Sequence, residues 1–365
     1  MKKVLIFGLT LLLLGSALFA EDAKVMPMRM GRIYLAPSFA FGSKIFDDGG
    51  SRTDVGAPEI MALNLGAALE FGAYNWITAA VQWAPGFNVW SDVEPPMPLP
   101  INFPPSPLNP SDFSTSSVRS LDKGDIIIGA KMQILGDAGP LKSDRFRLAL
   151  GPGIKVPLRG PDYKEQLANA VAGDLVTPAN FDYHVFGFGL RTYFDYIINE
   201  YFFIGLYNEF LYYPQKKDLA KAGYSEYFIL NSLNNMFLGG AVLDGEVSYG
   251  YDLTFELEPS FSKMIVPGKV ILNAGLPLTY KTTPGKSYEF SAKGVMADAA
   301  LTQIKSLIED GEQTHQLTLK PGASLFFIGW KVPFEFKLSY FAPLWGMNSG
   351  ATHTVSLQIR MYFKI

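Results

Sequence analysis

The chain has 365 residues, of which 48% are hydrophobic and only 18% charged, and it contains 28 Phe, 18 Tyr, 5 Trp and no Cys. The charged fraction lies well below the roughly 25% of ordinary soluble domains, which argues against a generic cytosolic enzyme. The lack of cysteine excludes disulfides, thiol nucleophiles and thiolate metal sites. A formal net charge of −3 gives no electrostatic reason to expect nucleic acid as a partner.

The beginning of the sequence has the pattern of an export signal. Two lysines precede an apolar segment at 4–14, and small residues follow as far as Ala20, ahead of two acidic residues. The apolar run is short for a membrane-spanning helix, which needs about 20 residues, so a retained anchor is the less favoured alternative. We therefore predict a signal peptide at 1–20 and a single exported barrel domain at 21–365.

The rest of the chain alternates between apolar and polar positions. Leu63 and Leu65 flank Asn64, for example, and Leu69 precedes Glu70. A period of two describes a β-strand with one apolar and one polar face, and about ten residues are enough for a tilted strand to cross a bilayer. Twelve such strands are predicted, at 31–42, 61–71, 77–89, 124–135, 145–157, 183–195, 201–212, 248–260, 269–281, 315–328, 333–344 and 353–365.

Short and long connections alternate between these strands. Short periplasmic turns and long extracellular loops are typical of a transmembrane antiparallel up-and-down β-barrel, so we predict an all-β barrel of about twelve strands, within a range of about ten to fourteen. A soluble β-sandwich would also alternate, but its connections would be mostly short. Tight links are predicted at 74–76, 197–200 and 330–331, and long loops at 90–123, 158–182, 213–247 and 282–314.

The long loops differ in character. The loop 90–123 is rich in proline, which predicts an extended cover rather than a folded domain. Short amphipathic helices are predicted at 163–172, 215–240 and 292–309. The apolar stretch 228–243 either lines a hydrophobic entrance or packs against the other loops.

The predicted hairpin over 123–157 contains two distinctive strands. They read Gly-Asp-x-x-x-Gly-x-Lys from Gly124 and Gly-x-Lys-x-Pro from Gly153. This hairpin resembles that of bacterial outer-membrane transporters of the MetA phenol-degradation type, which are related in style to FadL-like channels. The resemblance implies an outer-membrane barrel that passes hydrophobic compounds. A FadL-type N-terminal hatch, with its Asn-Pro-Ala segment, is missing from the residues before Gly31.

Candidate catalytic groups are scarce. The histidines are His184, His315 and His353, each near the end of a predicted strand. His353 and Ser356 are three positions apart, which places their side chains on opposite faces of a strand. The sequence also lacks metal-ligand spacings, a phosphate-binding loop and a dinucleotide fingerprint. We therefore predict a protein that is not an enzyme and that uses no cofactor and no metal.

The polar face of the strands supplies the candidate site. Its charges are of mixed sign, so many of them are expected to pair across neighbouring strands. A barrel of twelve strands is expected to enclose a narrow passage, and inward aromatic residues would make that passage partly apolar. The candidates for the solute path are Arg191, Tyr193, Tyr207, Glu209, Glu256, Lys337, Phe341 and Arg360.

These observations predict an outer-membrane channel for passive uptake of small hydrophobic or amphipathic solutes. The alternative is a surface-exposed structural or adhesive barrel with a closed lumen, whose long loops bind external partners. The expected partners are outer-membrane lipid, the small-molecule solute and the barrel-assembly machinery, which would recognise the C-terminal strand 353–365. No nucleic acid partner is expected. The expected location is the cell outer membrane.

Overall fold

A closed antiparallel β-barrel of twelve strands forms the body of the protein, as the alternation predicts. The computed structural model describes residues 22–54, 60–83, 86–90, 124–158, 183–222, 224–237 and 239–364. The predicted signal peptide, the proline-rich part of the loop 90–123 and the predicted helix 163–172 lie outside these residues.

Most barrel strands are continuous, and others are divided in two. The continuous strands are β1 (Met30–Gly42), β4 (Ile60–Tyr74), β7 (Ile126–Leu135), β8 (Phe146–Val156), β9 (Gly187–Ile197), β10 (Phe202–Tyr213), β13 (Gly250–Val266), β19 (Phe334–Met347) and β21 (His353–Lys364). The divided strands are β14 (Val270–Gly275) with β15 (Leu278–Thr283), and β17 (Thr314–Leu319) with β18 (Gly322–Phe327). The described parts of one further strand are β5 (Ile77–Trp83) and β6 (Gly86–Trp90).

The barrel closes through its first and last strands. Strand β1 pairs with β4 on one side and with β21 on the other, so that Ile33 lies opposite both Leu69 and Met361. The other barrel strands pair in sequence order with their neighbours. Closure removes the sheet edges, which is the condition for strands to cross a membrane with their backbone groups satisfied.

The alternation in the sequence becomes the difference between the outside and the inside of the wall. On β4, Leu69 is 47% exposed, whereas the adjacent Ala68 is 6% exposed. The same contrast recurs on β19 and β21, where leucine and valine face outward between buried polar residues. An apolar outer surface on a closed barrel is the surface that faces lipid in an outer-membrane protein.

Prolines divide two of the predicted strands. The break between β14 and β15 lies at Leu276 and Pro277, and the break between β17 and β18 lies at Lys320 and Pro321. Proline has no N–H to donate to the ladder. The pairing is unchanged across the break, since Gly275 lies opposite Gly322 before it and Leu278 opposite Leu319 after it. The predicted strands 269–281 and 315–328 are therefore single barrel strands in two segments.

The long loops 213–247 and 282–314 build a folded cap at one end of the barrel, which we call the loop end. The cap contains the sheet β11 (Lys217–Asp218), β12 (Val242–Ser248) and β16 (Ser287–Lys293), and the helices α1 (Leu219–Ala222), α2 (Tyr224–Met236) and α3 (Ala297–Leu307). A second small sheet joins β2 (Lys44–Phe46) with β3 (Arg52–Asp54) and β20 (Ser349–Gly350). Of the described helices, none has the length and apolarity to span a membrane.

The cap has its own hydrophobic core. Leu219, Val247 and Ile304 are completely buried in it, and Leu233 of α2 packs with them. Burial and the nearby Glu226 carboxylate raise the pKa of the Tyr288 hydroxyl well above its usual value, so this hydroxyl stays protonated and donates to Glu226.

Helices at 215–240 and 292–309 are thus confirmed, whereas the cap sheet is not predicted by the sequence. The apolar stretch 228–243 packs against the other loops. The predicted strand 248–260 begins two residues too early, which would place Tyr249 on the lipid face. The strand begins at Gly250 with a positive φ of 71°, and Tyr249 is buried in the cap core.

Candidate functional site in the barrel lumen

A cluster of four candidate residues lies on β9 and β10. Arg191 is opposite Glu209 in the ladder and forms an ion pair with it. The Tyr207 hydroxyl donates to the same carboxylate at 2.8 Å. The ring centroids of Tyr193 and Tyr207 are 5.2 Å apart. The two strands thus bring two tyrosine rings and one ion pair together on the lumen side of the wall.

Glu256 of β13 continues this row, because it lies opposite Tyr207. Its carboxylate accepts a hydrogen bond from the Thr279 hydroxyl and lies 3.3 Å from the Lys320 ammonium group. The same ammonium group lies 5.5 Å from the centroid of the Phe341 ring. Lys320 therefore links two of the predicted site residues that are far apart in the sequence.

The remaining candidates lie on β19 and β21. Arg360 is 3.2 Å from the Glu335 carboxylate and donates to Gln358 at 2.6 Å. The Tyr362 hydroxyl also donates to Glu335, at 3.0 Å. Lys337 occupies a lumen position between its ladder partners Ser324 and Gln358.

Every candidate thus occupies the lumen face, but the candidates spread around the wall instead of forming one site. Their described charges are mostly paired, through Arg191 with Glu209, Arg360 with Glu335, and Lys320 with Glu256. Buried ion pairs of this kind fix the geometry of a wall more than they stabilise it. Their part in a solute path stays a prediction.

The segment 22–28, which precedes β1, lies inside the lumen. The Ala23 amide donates to the Asp195 carboxylate at 3.1 Å, and the Gln133 side chain donates to the Ala23 carbonyl at 2.9 Å. The Met26 amide donates to the Thr78 hydroxyl at 2.7 Å. Ala23 also packs against Tyr193 and Tyr207.

This segment enters from the end of the barrel that has the short turns, which we call the turn end. The Arg29 amide donates to the Gly72 carbonyl, close to the turn between β4 and β5. The Lys131 ammonium group donates to the Asp22 carbonyl at 2.7 Å and lies 4.4 Å from the centroid of the Tyr193 ring. The segment therefore occupies space beside the predicted tyrosines.

Sequence reasoning missed this arrangement, because the residues before Gly31 are too few to suggest a plug. The sequence signal that could have indicated this segment is a set of polar residues on the lumen face of the barrel strands. Thr78, Gln133 and Asp195 are inward polar residues on β5, β7 and β9, and each of them has a hydrogen-bond partner on the segment.

Each histidine is hydrogen-bonded within the fold, and His315 Nδ1 lies 2.7 Å from the Tyr280 hydroxyl. His184 Nδ1 lies 3.0 Å from the Asp125 carboxylate, which is also 3.4 Å from the Lys155 ammonium group. His353 Nδ1 is hydrogen-bonded to the Tyr340 hydroxyl at 2.7 Å, and its ladder position opposite Phe41 separates it from the inward Ser356. Among the described residues, no group of three or more His, Cys, Asp or Glu side chains is arranged to hold a metal ion.

Solved structures show where this architecture occurs. The COG4313 outer membrane channel from Pseudomonas putida F1 superposes with a TM-score of 0.55 at 12% identity, covering 94% of this chain and 99% of that one. The two chains share the barrel fold, which confirms the predicted twelve-stranded barrel. An outer-membrane location is consistent with this fold and with the apolar outer surface, and stays a prediction.

Two further structures share less of the geometry. The transport unit of the autotransporter AIDA-I from Escherichia coli gives a TM-score of 0.45 at 9% identity, covering 100% of this chain and 99% of that one. A Pseudomonas aeruginosa FadL homologue gives a TM-score of 0.36 at 11% identity, covering 96% of each chain. No protein-family model and no curated protein matches the chain.

Proposed function

We propose that the protein is a passive outer-membrane channel for small hydrophobic or amphipathic solutes. The observation that carries this proposal is the inner wall, where aromatic rings and mutually paired charges alternate on neighbouring strands. Tyr193, Tyr207 and Phe341 offer apolar surface, and the ion pairs beside them leave little net charge to repel such a solute. A solute that is partly apolar suits a wall of this composition.

The segment 22–28 would restrict the passage at the turn end. It is held in the lumen by hydrogen bonds to the Asp195 carboxylate, Gln133, Thr78 and the Lys131 ammonium group, and by the contact of Ala23 with two tyrosines. Each such hydrogen bond contributes about 1 to 3 kcal/mol net, so the segment can leave the lumen without unfolding the barrel. We infer that its displacement opens the channel.

Single-channel recording in planar bilayers tests this function. Deleting 22–28 removes the main-chain hydrogen bonds of Ala23 and Met26 to the wall, together with the packing of Ala23 against the tyrosines. We expect a larger or more frequently open conductance than in the unaltered protein. An absence of conductance in both proteins would contradict the channel.

That outcome would favour the alternative, a barrel that binds external partners through its loops. The cap gives this alternative a surface, since Met236, Val242 and Val295 are exposed on it. We expect transport without catalysis, because His353 and Ser356 lie on opposite faces of β21. Recognition of β21 by the barrel-assembly machinery, and export by residues 1–20, remain predictions.

A further inference from the structure

Small residues line the lumen where the first and last strands meet. On β1 the inward positions are occupied by Ala36, Ser38 and Ala40, all of them buried. Ser38 lies opposite Ser356 of β21 and also opposite Asn64 of β4. With Thr354, which lies opposite Ala40, these residues form what we call the seam recess: Ala36, Ser38, Ala40, Asn64, Thr354 and Ser356.

The recess contains polar atoms that have no partner. Three buried atoms in the recess make no hydrogen bond with any residue that the structure describes. They are the Thr354 hydroxyl, the Ser356 hydroxyl and the Asn64 side-chain nitrogen. Thr354 is 3% exposed and Ser356 is 2% exposed. The large majority of buried side-chain polar atoms have a partner, so three without one in a single recess point to a ligand.

These hydroxyls point into the barrel. The residues between and beyond them on β21, Val355 and Leu357, are exposed on the lipid side. Because successive side chains of a strand point to opposite faces, Thr354 and Ser356 face the lumen together.

The surroundings of the recess select an uncharged group. Toward the turn end, Arg360 is paired with Glu335. Lys320, whose ammonium group lies 5.5 Å from the Phe341 ring centroid, is paired with Glu256. A hydroxyl can both donate and accept, whereas the Asn64 nitrogen can only donate. The Asn64 nitrogen cannot bind an ammonium group, and the cations Arg360 and Lys320 are already neutralised by carboxylates and do not favour a second anion. The hydroxyl group of a neutral molecule, which accepts and donates, satisfies all three atoms.

An apolar contact is available beside these polar atoms. Phe341 of β19 lies opposite Thr354 in the ladder. A molecule that places a hydroxyl group on Thr354 can thus place its carbon chain near the ring.

We propose that the seam recess is a binding subsite for an uncharged, hydroxyl-bearing amphipathic solute on its way through the barrel. This inference rests on the proposed channel function and names the chemistry of the solute that the channel would take.

The test uses vicinal butanediol as the probe. Its isomer ethylene glycol dimethyl ether, which accepts hydrogen bonds but cannot donate them, is the control compound. The variants are Thr354→Val and Ser356→Ala, which remove one hydroxyl each with little change of shape. Thr192→Val is the matched control variant, because the Thr192 hydroxyl is bonded to Asn208 on the outer side of the wall.

Two measurements are needed. Saturation-transfer NMR on the purified barrel in detergent reports binding of the probe without requiring conduction, and planar-bilayer recording reports block of the ion current by the same probe. We expect the diol to bind more tightly than the ether. Each recess variant should weaken diol binding about fivefold, the value of one uncharged hydrogen bond, and Thr192→Val should leave it unchanged.

The outcomes separate the two proposals. Equal diol binding by the unaltered protein and by both recess variants, or no binding by any of them, would overturn the subsite. Diol binding that depends on Thr354 and Ser356 in a barrel that conducts no ions would support the subsite and contradict the channel.

Discussion

Asp195 has no exposed surface, although it lies in the wall of the lumen. It accepts the Ala23 amide and lies 3.4 Å from the Arg147 guanidinium group. A buried carboxylate needs such partners, because an uncompensated charge in a low-dielectric site is costly. The wall and the segment 22–28 therefore depend on each other through this one side chain.

Replacement of Asp195 by alanine is expected to loosen the segment. The Ala23 amide loses a charged acceptor, and a loss of about 2 kcal/mol would raise the displaced population about thirtyfold. Single-channel recordings should show a higher open probability. The matched control is Asp137→Ala, because Asp137 also contacts Arg147, at 3.3 Å, but is exposed at the turn end. Equal open probabilities in the two variants would contradict the anchoring role.

The Glu335 carboxylate on β19 has three partners on the neighbouring strands β18 and β21. It accepts from Ser324 at 2.6 Å and from Tyr362, and it neutralises Arg360. In Glu335→Gln the arginine charge stays in the wall without its carboxylate, so we expect a loss of about 3 kcal/mol in unfolding free energy and a shift of ion preference toward anions.

Urea unfolding and reversal potentials in a salt gradient measure these two effects. Glu289→Gln is the control, since Glu289 forms an exposed ion pair with Lys216 on the cap, where little change in stability is expected. An unchanged reversal potential in Glu335→Gln would show that this charge does not face the ion path.

Among the elements, strands were predictable where alternation was strict. The segment 353–365 alternates throughout, and β21 spans nearly all of it. The breaks at Pro277 and Pro321 were not predicted, because the apolar and polar positions keep their phase across each proline. The cap strand β12 was missed for another reason: its inward side faces α2 and α3 rather than lipid, so its pattern belongs to a small separate core.

The lumen-facing residues of the candidate site were predictable where the strands alternate, and the segment that contacts them was not. The alternation of apolar and polar positions identified the lumen positions of Arg191, Glu209 and Arg360, because successive side chains of a strand point to only two faces. It could not identify the segment 22–28, because the contacts of that segment with Gln133 and Asp195 join residues more than a hundred positions apart.

The cap should fold and unfold separately from the barrel. Ile304 of α3 is completely buried in the cap core, so Ile304→Ala should destabilise the cap by about 2 to 4 kcal/mol. Limited proteolysis should then cut within 214–249 and 284–313, while the barrel strands stay protected. Lys305→Ala, an exposed change on the same helix, is the control. Cleavage inside the barrel strands at the same rate would contradict independent folding.

At the scale of the whole molecule, the outer surface is defined by contact with lipid. Leu338 is 58% exposed near the middle of β19. Leu338→Arg should reduce the unfolding free energy in lipid vesicles by about 2 to 4 kcal/mol, because a cation near the bilayer centre is costly.

The control for this prediction is Ile198→Arg, in the turn between β9 and β10. There a cation is near water and should cost about 0 to 1 kcal/mol. Urea titration followed by tryptophan fluorescence measures both variants. Equal costs at the two positions would mean that Leu338 does not lie at lipid depth.

The pairing of β1 with β21 also governs when the seam recess can exist. The Arg32 and Tyr362 side chains, which meet across this pairing, are 330 positions apart in the chain. Contacts of such separation form late and slowly during folding. Ser38 therefore meets Ser356 only after the last strand has been delivered and the ring is complete. Binding of a hydroxyl-bearing molecule at this seam would distinguish a finished barrel from an assembly intermediate.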